Sequence, residues 1–175
     1  MFFKTHSIFV LNMRTILLTT LLGLLTFGQA YRFRGRVYSP ARVYALRLKP
    51  GEDVKAALLD FARTHRLRAA SVVTCVGSLQ RAHLRFADQD KGTVLEGKYE
   101  IVSLVGTFHG EEGGHFHLSI SDGQGRTVGG HLLEGNIVYT TAEVTLLEAT
   151  ELEFRREPDG QTGYKELKIY RRRSG

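Results

Sequence analysis

Three of the seven histidines lie close together in a glycine-rich stretch, as Gly114-His115-Phe116-His117 and Gly129-Gly130-His131. In an extended strand residues i and i+2 project from one face, so His115 and His117 stand side by side, their Cα atoms roughly 7 Å apart. Between the two groups Asp122-Gly123-Gln124-Gly125 is a hairpin signal, which puts His131 on the returning strand. The turn decides whether the third imidazole joins the other two. A two-residue turn at Gly123-Gln124 sets His131 across from Phe116, on the opposite face. A three-residue loop with a glycine bulge changes the parity and sets it across from His115 or His117. The turn glycines and the Gly129-Gly130 pair are both able to supply that bulge. Three neutral imidazoles with an open fourth position make a zinc site, structural or catalytic. The plainer alternative is a set of half-buried strand histidines beside ordinary turn glycines.

If such a site were catalytic it would need a base. Glu143, within an apolar run, and Glu111, in the loop before the histidines, are the candidates. The alternative for Glu143 is an outward-facing strand residue. His109, ahead of Gly110-Glu111-Glu112, is a further ligand, a proton carrier or a solvated loop residue. His65 and His83 read as surface residues. Cys75 sits in a β-branched run as a small core residue. It is also the single cysteine, which excludes an intrachain disulfide, a multi-cysteine zinc site and an iron–sulfur cluster. No phosphate-cradling glycine loop, nucleophile elbow or HExxH helix is present.

The elements that must position these residues are mostly strands. Residues 43–48 alternate and end at Pro50-Gly51, which predicts a first strand. Val54, Ala57, Leu58, Phe61 and Ala62 recur at helical spacing, with Glu52 and Asp53 before them and Arg63, His65 and Arg66 after. That is the one main helix. Strands are expected at 70–76, at 79–87 beyond a break at Gly77-Ser78, and at 99–108. Others follow at 115–121, 126–133, 137–144 and 145–154. One helix with about seven strands, joined largely as a meander, predicts a single α+β domain on a mostly antiparallel sheet.

Charge is unevenly spread along the 175 residues, whose formal net charge is +6. Residues 1–50 carry eight basic side chains and no acid, whereas residues 51–153 carry nine basic and fifteen acidic ones. Residues 154–175 turn basic again. An acidic central domain excludes the broad cationic face that phosphate binding uses. The uncharged run 15–27 follows Arg14 and precedes Gly28-Gln29-Ala30, the pattern of a cleaved secretory signal. At 13 residues it falls short of the ~20 that a helical span needs. A mitochondrial presequence is the alternative, given the arginines that follow. The expected organisation is a signal peptide at 1–30, a basic arm at 31–41, a domain at 42–154 and a basic tail at 155–175.

Taken in order, Gly106-Thr107-Phe108, Gly114-His115-Phe116-His117-Leu118-Ser119-Ile120-Ser121 and Val128-Gly129-Gly130-His131-Leu132 resemble the plants-and-prokaryotes-conserved (PPC) domain. The likeness extends from about Arg42 to Phe154 and includes the helix and the Val76-Gly77-Ser78 turn. The resemblance implies a strongly bent antiparallel sheet, assembly into a homotrimer, and zinc held by His115, His117 and His131. Plant members of that family pair the domain with an AT-hook, Arg-Gly-Arg-Pro. This chain has Arg34-Gly35-Arg36 followed by Val37, and it retains the histidines that plant members lack. The expectation is therefore a homotrimeric, metal-binding interaction module, open to a small-molecule ligand. A zinc-dependent enzyme using the same histidines is the alternative, and DNA binding ranks last, so nucleic acid is not an expected partner.

Overall fold

The computed structural model describes residues 37–110 and 113–172. The segment 1–30 read as a signal, most of the basic arm, and Glu111 lie outside the described residues. Among the described residues no helix is long and apolar enough to cross a membrane. Ser39–Gly175 forms one compact unit.

Its elements run β1 (Ala41–Leu48), α1 (Val54–Thr64), β2 (Ala70–Arg85), β3 (Thr93–Phe108), β4 (Gly114–Ser121), β5 (Thr127–Leu132), β6 (Ile137–Ala149), β7 (Leu152–Pro158) and β8 (Lys165–Arg171). The first six strands make one antiparallel sheet in the order β1-β6-β2-β3-β4-β5. The sheet curls back on itself, because β5 also pairs with the far end of β2 through Leu84↔Leu132 and Arg85↔His131. Closure of this kind satisfies strand edges that a flat sheet would leave open. The α+β class, the antiparallel sheet and the single main helix are as the sequence predicts.

Three details differ. β2 runs unbroken through Gly77-Ser78, because Gly77 adopts φ +151 and lets the strand bulge against β6 instead of ending. A Cβ there would lie 2.0 Å from the Thr141 carbonyl oxygen, so the close approach requires glycine. Residues 137–149 are likewise one strand rather than parts of two. The basic tail is not a loose end: β8 pairs with β7 from Leu152↔Arg171 to Pro158↔Lys165 as a separate two-stranded sheet.

Helix α1 starts where Asp53 accepts the Ala56 N–H at 2.9 Å, a side-chain N-cap. The same carboxylate takes the backbone N–H groups of Gly135 and Asn136 (3.2 Å for Asn136), tying the helix to the loop after β5. Val54, Leu58 and Ala62 turn inward and join the core. At the other end of the core Phe108 and Phe116 are buried edge-to-face, ring centroids 4.9 Å apart. Burying each such side chain is worth about 2–3 kcal/mol. Phe116, Leu118 and Ile120 point inward from β4, which commits the alternate residues His115 and His117 to its other face.

Candidate metal centre

The hairpin closes on a three-residue loop. Asp122 N–H donates to the Arg126 carbonyl at 3.0 Å and Gly125 N–H to that of Asp122 at 2.9 Å. The Asp122 carboxylate fixes the turn: Oδ1 accepts from Gln124 N–H (2.9 Å) and Arg126 N–H (3.0 Å), and Oδ2 from Arg126 Nε (2.7 Å). Gly125 takes φ +77, the left-handed residue that such loops require. From there the pairing runs unbroken from Ser121↔Thr127 to His117↔His131. The bulge is thus in the turn and not at Gly129-Gly130, and the condition for three converging imidazoles is met.

The three rings meet with centroid separations of 5.1 Å (His115–His117), 5.0 Å (His115–His131) and 5.5 Å (His117–His131). One nitrogen from each lies within 4.8 Å of the others. Tetrahedral zinc with bonds of about 2.0–2.1 Å sets its nitrogens about 3.4 Å apart, so modest ring rotations would close the set. The electrostatics suit a cation. Burial, then the neighbouring charges of His115, Arg85, His117 and Lys55, pushes the His131 pKa down to about 4. Burial first, then Arg156 and His117, lowers that of His115, against a smaller opposing pull from Glu166. Both rings therefore present neutral lone pairs at neutral pH, the form a metal binds. The donor set fits zinc.

The imidazoles line an open cleft of about 590 Å³, walled also by Arg85, Phe86, Asp88, Arg156, Tyr164 and Glu166. Arg156 Nη1 donates to His115 Nδ1 at 3.3 Å. Glu166 accepts from Thr162 Oγ1 at 3.1 Å. Arg156, Tyr164 and Glu166 come from the β7–β8 hairpin and its turn, which the sequence presents only as a charged tail. Asp159-Gly160 between them is the turn signal that points to a hairpin.

The other candidates go elsewhere. Glu143 is exposed on β6, across from Arg47 and Val76, and takes no part in walling the histidine cleft. It faces outward because Ala142 and Val144 on either side are inward core residues. The carboxylates that do wall the cleft are Asp88 and Glu166. His109 is buried rather than solvated, and lines a second cavity with Ala62 and Leu67. His65 caps the end of α1, stacked on Phe61 at 3.9 Å. His83 is half-buried on a central strand rather than at the surface, with Nδ1 2.7 Å from the Glu134 carbonyl oxygen. Cys75 is buried, and burial pushes its thiol up to about 11.

Comparison with known proteins gives this geometry a family. The chain is 49% identical over 128 residues to a bifunctional protein GlmU of Synechococcus sp. (strain JA-3-3Ab), covering 73% of this chain and 20% of that protein. It thus spans about a fifth of that relative's length. It is 30% identical over 138 residues to the AT-hook motif nuclear-localized protein 14 of Arabidopsis thaliana, covering 74% of this chain and 31% of the plant protein. Among solved structures, a Salmonella enterica protein matches with a TM-score of 0.76 at 43% identity, covering 78% of this chain and 98% of the other. A protein of Archaeoglobus fulgidus described as metal-containing matches with a TM-score of 0.65 at 25% identity, covering 75% and 98%. The family profile of the Plants and Prokaryotes Conserved (PCC) domain, the PPC domain of the sequence reading, matches residues 35–150. The chain belongs to the Plants and Prokaryotes Conserved domain family.

Proposed function

We propose that this chain is a homotrimeric binding module that holds a zinc ion through His115, His117 and His131. The observation that carries the reading is the meeting of three imidazoles, one nitrogen from each within 4.8 Å of the others, at an open cleft. The metal-containing relative from Archaeoglobus fulgidus supports it. Three neutral ligands leave a coordination position for water or a ligand, and zinc there would act as a Lewis acid. The protein's own part is to fix the ring orientations through the β4–β5 hairpin and to hold the cleft walls in place. Self-association finds support in four valines, Val73, Val76, Val102 and Val105, each more than half exposed on β2 and β3. The run at 15–27 supports export, with mitochondrial import as the alternative; sequencing the N-terminus of the mature protein distinguishes them.

Metal analysis of the purified full chain tests the site. One zinc per chain is expected, with loss of bound zinc in His117→Ala. A wild-type protein that takes up no stoichiometric metal after incubation with zinc sinks the reading. A second reading, zinc-dependent hydrolysis, is favoured by one observation: Glu166 stands in the same cleft as the histidines, where a general base would be needed. DNA binding rests on the kinship with AT-hook proteins and the basic termini. A gel shift at ~0.15 M salt is the discriminating measurement, and no shift there removes it.

A further inference from the structure

The reading of a three-histidine metal site leads to the chemistry of its ligand, and the inference rests on that reading. A guanidinium has donors only, so in the contact between Arg156 and His115 the ring Nδ1 must be the acceptor. Metal ligation ends this bond whichever ring nitrogen is used. If the metal takes Nδ1, the lone pair is gone; if it takes Nε2, the neutral ring carries its proton on Nδ1. Loading the site thus strips Arg156 of an acceptor and leaves it beside a new cation.

The remaining charges of the cleft do not offset this. Arg85 and Arg156 are matched by Asp88 and Glu166, and a metal-bound imidazole brings no charge of its own, so the two charges of a divalent metal stand uncompensated. Glu166 is the one acid that shares the β7–β8 sheet with Arg156 and walls the same cleft, and one of its oxygens is already engaged by Thr162. The space is of small-molecule size, about 590 Å³. Its walls are two-natured: a guanidinium fork whose geometry matches a carboxylate, and, beside it, Phe86 and Tyr164, the latter 76% exposed. We propose that the metal-loaded cleft binds a small organic carboxylate, its head shared by the metal and Arg156 and its apolar body against Phe86 and Tyr164.

The test uses the full chain loaded with cobalt(II), whose visible absorption reports changes at the open coordination position. Metal content is measured first, and then benzoate, acetate and inorganic phosphate are titrated separately. Benzoate is expected to shift the bands and to bind at least tenfold more tightly than acetate or phosphate. Arg156→Gln is expected to keep one metal per chain while weakening benzoate at least tenfold. Glu166→Gln, which removes a negative charge from the cleft wall, is expected to bind benzoate more tightly. Loaded protein whose spectrum ignores benzoate, or whose Arg156→Gln variant binds it unchanged, overturns the carboxylate assignment and leaves the metal site standing. Tighter binding of phosphate than of benzoate also overturns it. A chain that takes up no metal overturns the site itself and the ligand with it.

Discussion

Burial acts on two side chains in opposite ways, and each consequence is chemical. At His131 it disfavours the imidazolium and leaves a lone pair available for a metal. At Cys75 it disfavours the thiolate and raises the pKa from 9.0 to about 11. A thiol so placed is a poor nucleophile, so the native protein should not react with a disulfide reagent at pH 8 and should react once unfolded. The sign for stability follows. Because the folded-state pKa is raised, the stabilising contribution is fully present below about pH 9. It is lost as pH rises through about 11, amounting to roughly 2–3 kcal/mol. Urea unfolding at pH 8 and pH 11 should show a steeper loss in wild type than in Cys75→Ala; equal losses contradict the assignment. The residues of the centre were unequally legible. His115 and His117 follow from a period of two alone, whereas His131 depended on the parity of a turn that the glycines left open. Arg156 and Glu166 were invisible because their strands bury little, so hydrophobic periodicity carries no trace of them.

What holds β5 in place is a close approach of backbones. A Cβ at Gly130 would lie 2.7 Å from the carbonyl oxygen of Arg85, at the point where β5 pairs with the end of β2. Neither partner is a flexible side-chain tip, so Gly130→Ala must push the strands apart. His131 is the next residue and pairs with Arg85, hence the push falls on the centre. The expected result is a stability loss of about 1–3 kcal/mol, the usual range for overpacking, with zinc affinity down at least tenfold. Gly123→Ala is the control, because nothing lies within 4 Å of a Cβ there. Calorimetric titration with zinc and thermal unfolding of both variants check the pair, and a Gly130→Ala protein with wild-type zinc affinity contradicts the argument. The same feature explains a misreading of the sequence. Glycine inside a strand pattern looks like an end, yet at Gly77 it marks a bulge where β2 continues past Thr141 on β6. Spacing gives the pattern of strands, but the pairing partner decides whether a glycine breaks one.

Across the described residues several charges are paired locally, while four valines of the main sheet stay exposed. Three basic residues of the tail are ion-paired, Arg155 with Glu153 at 3.0 Å, Arg171 with Glu151 at 3.6 Å and Arg172 with Glu148 at 3.9 Å. The net charge of +6 therefore says little about a partner. Exposed apolar surface says more. Val73 and Val76 lie on β2 between the pairs Val72↔Gly106 and Ser78↔Glu100, and Val102 and Val105 lie on the facing stretch of β3, all four more than half exposed. Val105 in turn lies across from His117, so this apolar stripe borders the metal centre. Contiguous apolar side chains on a solvent-facing sheet are a mark of an interface. If three chains associate through it, the native protein sediments at about three times the chain mass, and Val105→Asp buries a charge at each contact and dissociates it. Ile169→Asp, also at an exposed apolar position but on the separate β7–β8 sheet, should leave the assembly whole. Analytical ultracentrifugation of the three proteins decides the matter. Dissociation by Val105→Asp alone assigns the stripe to the interface. A wild-type protein that sediments as a single chain removes the trimer and leaves the histidine cleft to work within one subunit.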